Sequence, residues 1–410
     1  MRFSWLILLC LLFPAITWAQ GQTISGRVIR DDTKNPVVGA NVFLDNSSYG
    51  TSTGADGTFK INNVRPGQYT IVINHLGVAD FRETILISNE PKTINVSLIP
   101  KSIMLRDVNI TTRADWKKNF EMFKKEFIGS DENAKFCEIT NPQILDFTYY
   151  STQKVLIAEA NTFLIVENKA LGYRVKFLID TFRMDGINGV ITYGGKRVFE
   201  DLVTNNKTQK KQWRVNRDMS YYGSAMHFFR SLYQDRLSEE GFEMHRYTRY
   251  INPMRPPEDI VQRNLARFRV LGRADSFNKW VDIEKMSKYY HEMFYPEPSF
   301  VSQVLSKTSQ PGIFAFTFPD CMCIQYTKKL DGTNYRDIFL PLNVANYETS
   351  ILTFMTKDNV CFFDLNGIIV GGSPFYEGTW SKSRLSQLLP VDFQPTPEDM
   401  PIQSVVLKKP

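Results

Sequence analysis

Apolar and polar positions divide the chain into three stretches of different period. Residues 3–16 are one apolar run, residues 23–100 carry short alternating runs separated by turn residues, and beyond 115 helical and strand-like patterns are interleaved. The runs of the second stretch are TISGRVI, VVGANVFL, GTFKI, QYTIVI, FRETILI and TINVSLI. Side chains of an extended chain point alternately to opposite faces, so Tyr69, Ile71 and Ile73 share one side, as do Ile94, Val96 and Leu98. This predicts strands with one core face and one wetter face, at the spacing of a β-sandwich. Asp56-Gly57 suits a tight hairpin turn because glycine accepts positive φ, and Pro66-Gly67 suits the next turn because proline presets its own φ. Backbone geometry alone accounts for these four residues.

From Asp115 the period changes. Trp116, Phe120, Phe123 and Phe127 recur at helical spacing, with Gly129 as a stop. The runs KVLIAEA, TFLIVEN, YRVKFLI and VITYGG follow as strands. A second long helix is expected with Asp218 as its cap, with Tyr221, Ala225, Phe228 and Leu232 on one face and Gly241 as its end. Helical patterns at 258–268 and 282–294 lead to the strand-like runs IFAFTF, CIQYTK, SILTFMT, VCFFDL and GIIVGG. The expected fold is therefore multidomain, an N-terminal all-β sandwich followed by a larger α+β region. The boundaries read as 20–103 for the sandwich, 104–114 for a linker, 115–400 for the α+β region with a possible division near 296, and 401–410 for a tail.

The first run changes the expected location. Arg2 precedes it, and Thr17, Trp18 and Ala19 follow with small residues at cleavage offsets, so residues 1–19 read as an export signal. The run is shorter than the roughly 20 residues needed to span a bilayer, and no later run is longer, so no membrane anchor is expected. Cys10 follows Leu9 where a lipid-attachment signal wants a small residue. Arg2 is the one charged residue in 1–19, so cleavage leaves 48 Lys and Arg against 43 Asp and Glu, a net charge of +5. That excess is far below that of a dedicated nucleic-acid binder.

The segments GRVIRDDTKNPVVGANVFL, TSTGADGTF and VRPGQYTIVI, in this order, resemble the carboxypeptidase regulatory-like domain, a transthyretin-like β-sandwich common in exported proteins of the Bacteroidota. The resemblance spans residues 23–100 and implies a periplasmic, outer-membrane-associated or cell-surface location. It implies no peptidase activity, because in that family the sandwich accompanies catalytic domains, sugar-binding proteins and TonB-dependent receptors without carrying the chemistry. Leu105–Ile110 resembles the lead into a receptor plug, but the remaining chain is too short for a plug and a 22-stranded barrel. The runs ALGYRV, YGGKRVFEDL, YYGSAMHFFRSLY and WSKSRLSQLLPVDF resemble an uncharacterised region that follows this sandwich, which implies co-occurrence and no reaction.

A zinc carboxypeptidase needs HxxE and a distant His, yet none of His75, His227, His245 and His291 is followed by Glu at the third position. His291-Glu292 begins like HExxH, but Tyr295 stands where the second His belongs. GxSxG, GxGxxG and GxxxxGK[ST] are absent. Cys321 and Cys323 form a CxC pair without a second such pair, so buried thiols or one disulfide are expected for Cys137, Cys321, Cys323 and Cys361, with neither metal nor cofactor. Asp56 alone is too few oxygen ligands for calcium. Glycosidase carboxylates carry no local signature, so an envelope glycan hydrolase stays as the alternative. The leading expectation is a non-catalytic envelope scaffold or binding protein. Its candidate surface is KTQKKQWRVNR at 207–217, where Lys210, Lys211, Trp213 and Arg214 would meet anionic glycan or lipopolysaccharide, unless the stretch is merely a solvated loop before the Asp218 helix. The other partner class expected is an envelope protein, and nucleic acid is not expected. His227 and Arg230, three apart on one helical side, read as packed residues and not as catalysts.

Overall fold

The computed structural model describes residues 21–101, 112–332, 340, 345–354 and 358–396. The stretch read as an export signal (1–19), most of the expected linker (104–114) and the expected tail (401–410) lie outside the described residues. The chain divides into two compact units, one of residues 1–44 and 49–103, the other of residues 45–48 and 104–410.

The first unit holds β1 (Gln22–Arg30), β2 (Asn41–Leu44), β3 (Gly50–Ser52), β4 (Thr58–Val64), β5 (Gly67–Asn74), β6 (Phe81–Ile87), β7 (Lys92–Thr93) and β8 (Val96–Leu98). They form two four-stranded sheets, β4-β1-β7 with β8 also on β1, and β3-β2-β5-β6. Alternation supplies the core: Ile24, Val28, Phe59, Ile61, Tyr69, Ile71, Ile73, Ile85, Ile87, Val96 and Leu98 are buried. β5 departs from one-sidedness, because Gln68 and Val72 are buried as well.

Asp56-Gly57 does not close a hairpin. It joins β3 of one sheet to β4 of the other, and the three-residue strand β3 escaped the alternation pattern. The redirection begins at Thr53, whose buried Oγ1 receives the Ala40 N–H at 2.8 Å and donates to Val37 O at 2.5 Å. Gly57 then donates its N–H to Gly54 O at 2.9 Å with φ +78°. Pro66-Gly67 likewise lies where the chain passes from β4 to β5, again between sheets.

The second unit opens with α1 (Arg113–Ile128), capped by the Thr112 side chain and ended at Gly129. Its Phe123 and Phe127 stack at 4.8 Å between centroids and meet Phe182 and Phe177 edge-on at 4.7 and 5.1 Å. Those partners belong to a six-stranded sheet of β9 (Cys137–Ile139), β10 (Asp146–Tyr150), β11 (Val155–Glu159), β12 (Leu164–Asn168), β13 (Tyr173–Asp185) and β14 (Val190–Asp201). β14 pairs along the whole of β13, whose other edge is shared end to end by β12 at Tyr173–Phe177 and β11 at Arg183–Asp185. A register irregularity between Ile179 and Thr181 bends the long pair where the two sharing strands meet.

Then follow α2 (Lys207–Tyr221), α3 (Ala225–Tyr233), α4 (Leu237–Glu240), β15 (Phe242–Ile251), α5 (Glu258–Val270), α6 (Ala274–Lys285), β16 (Tyr289–Pro298), α7 (Val301–Val304), β17 (Leu305–Lys307), β18 (Ile313–Thr317), β19 (Cys321–Leu330), β20 (Tyr347–Thr353), β21 (Val360–Asp364), β22 (Ile369–Gly371), β23 (Phe375–Gly378) and α8 (Thr379–Lys382). Strands β16-β15-β19-β20-β23 make one sheet and β17-β18-β21-β22 another. α3 puts Phe228, Phe229 and Leu232 into one apolar cluster with residues of both.

Three sequence expectations change. The 207–217 stretch is helix and not loop, because Asn206 Oδ1 caps it by accepting the Thr208 and Gln209 N–H groups at 2.9 and 3.2 Å. Asp218 therefore lies inside α2, and the expected long helix breaks at Gly223 (φ +82°), after which Ser224 caps α3. The 282–294 pattern is cut after Lys285: its aromatic second half enters β16, where His291 opposes Tyr250 and Glu292 opposes Arg249. Position 296 also lies in β16, so strand pairing runs through the division considered there.

At Gly57 a side chain would begin 2.5 Å from Val28 O on a left-handed backbone. Gly57→Val should therefore cost at least about 1–2 kcal/mol. A urea titration of the full chain reads this as an earlier midpoint for the first unit, and an unchanged midpoint would contradict it.

Candidate functional site

The basic stretch is not exposed throughout. Trp213 is buried, with its Nε1 donating to Lys169 O at 2.8 Å. Its ring occupies the space above Gly172, where a Cβ would lie 2.2 Å away. Arg214 reaches the C-terminal segment, donating to Gln394 O at 2.7 Å and Thr396 Oγ1 at 2.8 Å, with its guanidinium 5.0 Å from the Phe393 ring. Arg217 donates to Leu171 O at 2.6 Å and pairs with Asp201 at 2.7 Å. Lys207, Lys210 and Lys211 remain on the exposed side of α2. Of the four residues singled out from sequence, Lys210, Lys211 and Arg214 are exposed, Arg214 while bonded to the C-terminal segment, and Trp213 is buried.

His227 is closed in the same sense. Its Nδ1 receives the Gly223 N–H at 3.2 Å, so the proton sits on Nε2, which donates to Glu240 at 3.2 Å. Burial outweighs the Glu240 carboxylate and pulls its pKa from 6.5 down to about 4. Arg230, one turn on, donates to three carbonyls: Asn366 O at 2.9 Å, Phe393 O at 3.1 Å and Val391 O at 2.6 Å.

A half-buried carboxylate pair meets on one buried arginine. Arg249 on β15 donates from Nε to Glu292 on β16 at 2.9 Å and from Nη1 to Glu377 on β23. Tyr247 Oη also donates to Glu292, at 3.0 Å, and the guanidinium lies 4.7 Å from the Tyr289 ring centre. Burial opposes the guanidinium charge, but Glu377 outweighs it and holds the Arg249 pKa above its ordinary value. A glycosidase pair needs a gap for sugar or water between its carboxyls. Here a cation fills that position. Cys321 and Cys323 line the same region, and all four described cysteines are buried and unpaired. Burial pushes the Cys137 and Cys361 thiols up to about 12, away from nucleophilic or metal-ligating thiolate. Among the described residues no three His, Cys, Asp or Glu side chains gather to hold a metal ion.

In the first unit, a groove of ≈ 590 Å³ is lined by Ser25, Gly26, Thr51, Ser52, Thr58, Phe59, Lys60 and Thr93. Ser25 is the register partner of both Lys60 and Thr93. Alternation along β4 gives Thr58 and Lys60 the face opposite the core, and that much was legible. The approach of β3, an edge strand of the other sheet, was not, because the sequence pattern does not contain sheet membership.

A family model for the CarboxypepD_reg-like domain matches residues 24–110. No curated protein matches the chain. Among solved structures, the chain is similar to a pilus 2b backbone protein of group B streptococcus, with 19% identity, 20% of this chain and 41% of that one covered, and a TM-score of 0.18. A type II cohesin–X-dockerin complex from Acetivibrio cellulolyticus gives 20% identity, 28% and 80% coverage and a TM-score of 0.19. A DUF3823 family protein from Bacteroides ovatus gives 10% identity, 45% and 82% coverage and 0.17. Scores this low transfer nothing from those proteins to this one. The family match concerns residues 24–110, most of which belong to the first unit.

Two outcomes follow from the geometry. Arg214→Ser should lower the thermal midpoint, whereas Lys210→Ser with Lys211→Ser should leave it nearly unchanged; equal effects would mean that the contacts to Gln394 and Thr396 are idle. For His227, a pKa held below its ordinary value means that the unfolded chain binds more protons, so its stabilisation is complete above about pH 6.5 and is lost as pH falls toward about 4. Asp364, raised to about 6 by burial, has the opposite sign, its stabilisation being lost as pH rises from 3.8 through that value. Comparing acid titrations of the parent and His227→Gln isolates the histidine, and the variant should show a shallower acid loss.

Proposed function

We propose that the protein is a non-catalytic binding scaffold of the cell envelope, exported by residues 1–19, whose sandwich (20–103) is a separable module that binds anionic glycan. The observation that carries this reading is the groove of the first unit: five of its eight lining residues are Ser or Thr, and Lys60 adds a positive charge. Hydroxyls match the alternating donors and acceptors of a sugar chain, and a lysine favours carboxylate- or phosphate-bearing sugars. The Glu292–Arg249–Glu377 arrangement supports the non-catalytic part, since its carboxylates are committed to one guanidinium that ties strands together.

Calorimetry of the full chain with an acidic and a neutral oligosaccharide tests this. Saturable binding of the acidic one, weakened at least about tenfold by Lys60→Ser combined with Thr58→Val, is the expected result. Reducing ends released from the glycan by the parent and lost in Glu292→Gln would instead establish a hydrolase.

A further inference from the structure

The β15–β16 hairpin carries a two-helix arm, α5 and α6, of which α5 buries only Val261 and Leu265 and α6 buries nothing. At its apex the sequence reads RFRVLGR, 267–273. Val270 is 87% exposed and Leu271 54%. They are held outward by an ordered turn: Leu271 N–H donates to Arg267 O at 3.1 Å, Gly272 N–H to Arg269 O at 3.3 Å and Arg273 N–H to Phe268 O at 3.2 Å. In a helix end of this kind the residue that folds back onto the last turn is the second after the cap, here Arg273 and not an aliphatic residue. Here the aliphatic pair projects away from the arm.

Arg267, Arg269 and Arg273 flank the pair in sequence. Arg263 is paired with Asp259 at 3.0 Å, but the three apical arginines have no carboxylate partner among the described residues. Two of them lie over aromatic rings, Arg267 by Phe268 at 5.6 Å and Arg269 by Phe277 at 5.3 Å. Between 264 and 281 the charges are these three, Lys279 and the single acid Asp275, which sits in the first turn of α6 where a helix favours negative charge. Exposed aliphatic side chains flanked in sequence by guanidinium groups without carboxylate partners combine two separate attractions: apolar insertion and phosphate pairing.

We infer that this apex is a membrane-surface contact, in which Val270 and Leu271 enter the interfacial layer while Arg267, Arg269 and Arg273 bind lipid headgroup phosphates. Guanidinium forks suit phosphate oxygens, and shallow aliphatic insertion beside basic residues is what an anionic lipid surface rewards. A protein partner would need a contact of about 800 Å² on this side, more than a helical turn's apex offers. The inference uses a surface separate from the groove and stands without it.

The test uses the chain from residue 20 onward with Val270→Cys labelled by a polarity-sensitive fluorophore, which the burial of its four native thiols permits. Vesicles of phosphatidylcholine alone and of phosphatidylcholine with phosphatidylglycerol are compared, with inorganic phosphate as a soluble control. The expected result is a blue shift and co-sedimentation with the anionic vesicles only, reversed by salt. Each arginine changed to Gln should weaken partitioning about fivefold, and Val270→Ser with Leu271→Ser should abolish the insertion. All five positions are at the surface, so thermal midpoints should stay within about a degree or two of the parent. A blue shift with phosphate alone, equal binding to neutral vesicles, binding indifferent to the arginines, or a parent that stays in the supernatant would each overturn the proposal.

Discussion

Arg249 holds the five-stranded sheet in its curled form. In the strand order β16-β15-β19-β20-β23, Arg249 on β15 and Glu377 on β23 stand three steps apart. Flat strands would separate them by about 14 Å across the sheet, and the register sets Glu377 level with His245, four residues along β15 from Arg249, which puts them beyond the reach of two extended side chains. Direct contact between the side chains therefore means that the sheet rolls until its ends approach, and the guanidinium closes that roll against Glu292 on the opposite flank. A buried charge is costly unless each donor is met, and removing a partner would leave the arginine stranded. The inner side of the roll packs Tyr247, Phe294, Cys321, Cys323 and Ile351. Its other side gives Phe242, Met244, Met322 and Ile324 to the cluster around α3.

The second arginine of consequence works on backbone instead of charge. Arg230 gathers carbonyls from the turn after β21 and from the C-terminal segment, so α3 is pinned to both. The same segment receives Arg214 and Tyr222, and its Leu385, Leu389 and Phe393 complete the cluster beneath α1. Residues more than a hundred positions apart are thus stitched together by side chains that, in sequence, look like ordinary surface cations.

That distance explains what the sequence conveyed. Local periodicity placed α1 to within two residues and found the β11–β14 runs, because Phe123, Phe127 and the alternating strands select their buried face without help from elsewhere. The Arg249 clamp was invisible: Arg249, Glu292 and Glu377 carry no common motif, and only the rolled sheet unites them. The basic stretch misled for the related reason that Trp213 and Arg214 find their partners 44 and 180 positions away. The Asp218 cap failed because Asn206, twelve residues earlier, starts a helix with the same geometry. In the first unit every residue of the groove lies on a strand that the alternation covers except Thr51 and Ser52 of β3, so six of its eight lining residues were legible.

The unpaired thiols have a bearing on how the chain reaches this state. Cys321 and Cys323 lie two positions apart on β19, sealed in the fold but fully reachable before it forms. In an oxidising solvent, thiols this close in sequence are prone to join each other or the other cysteines while the chain is open. β19 pairs with both β15 and β20, so any such link would deny the central strand to the sheet around it. Folding and oxidation are consequently competitors for one strand, and a chain of this design is protected only by completing its sheet first.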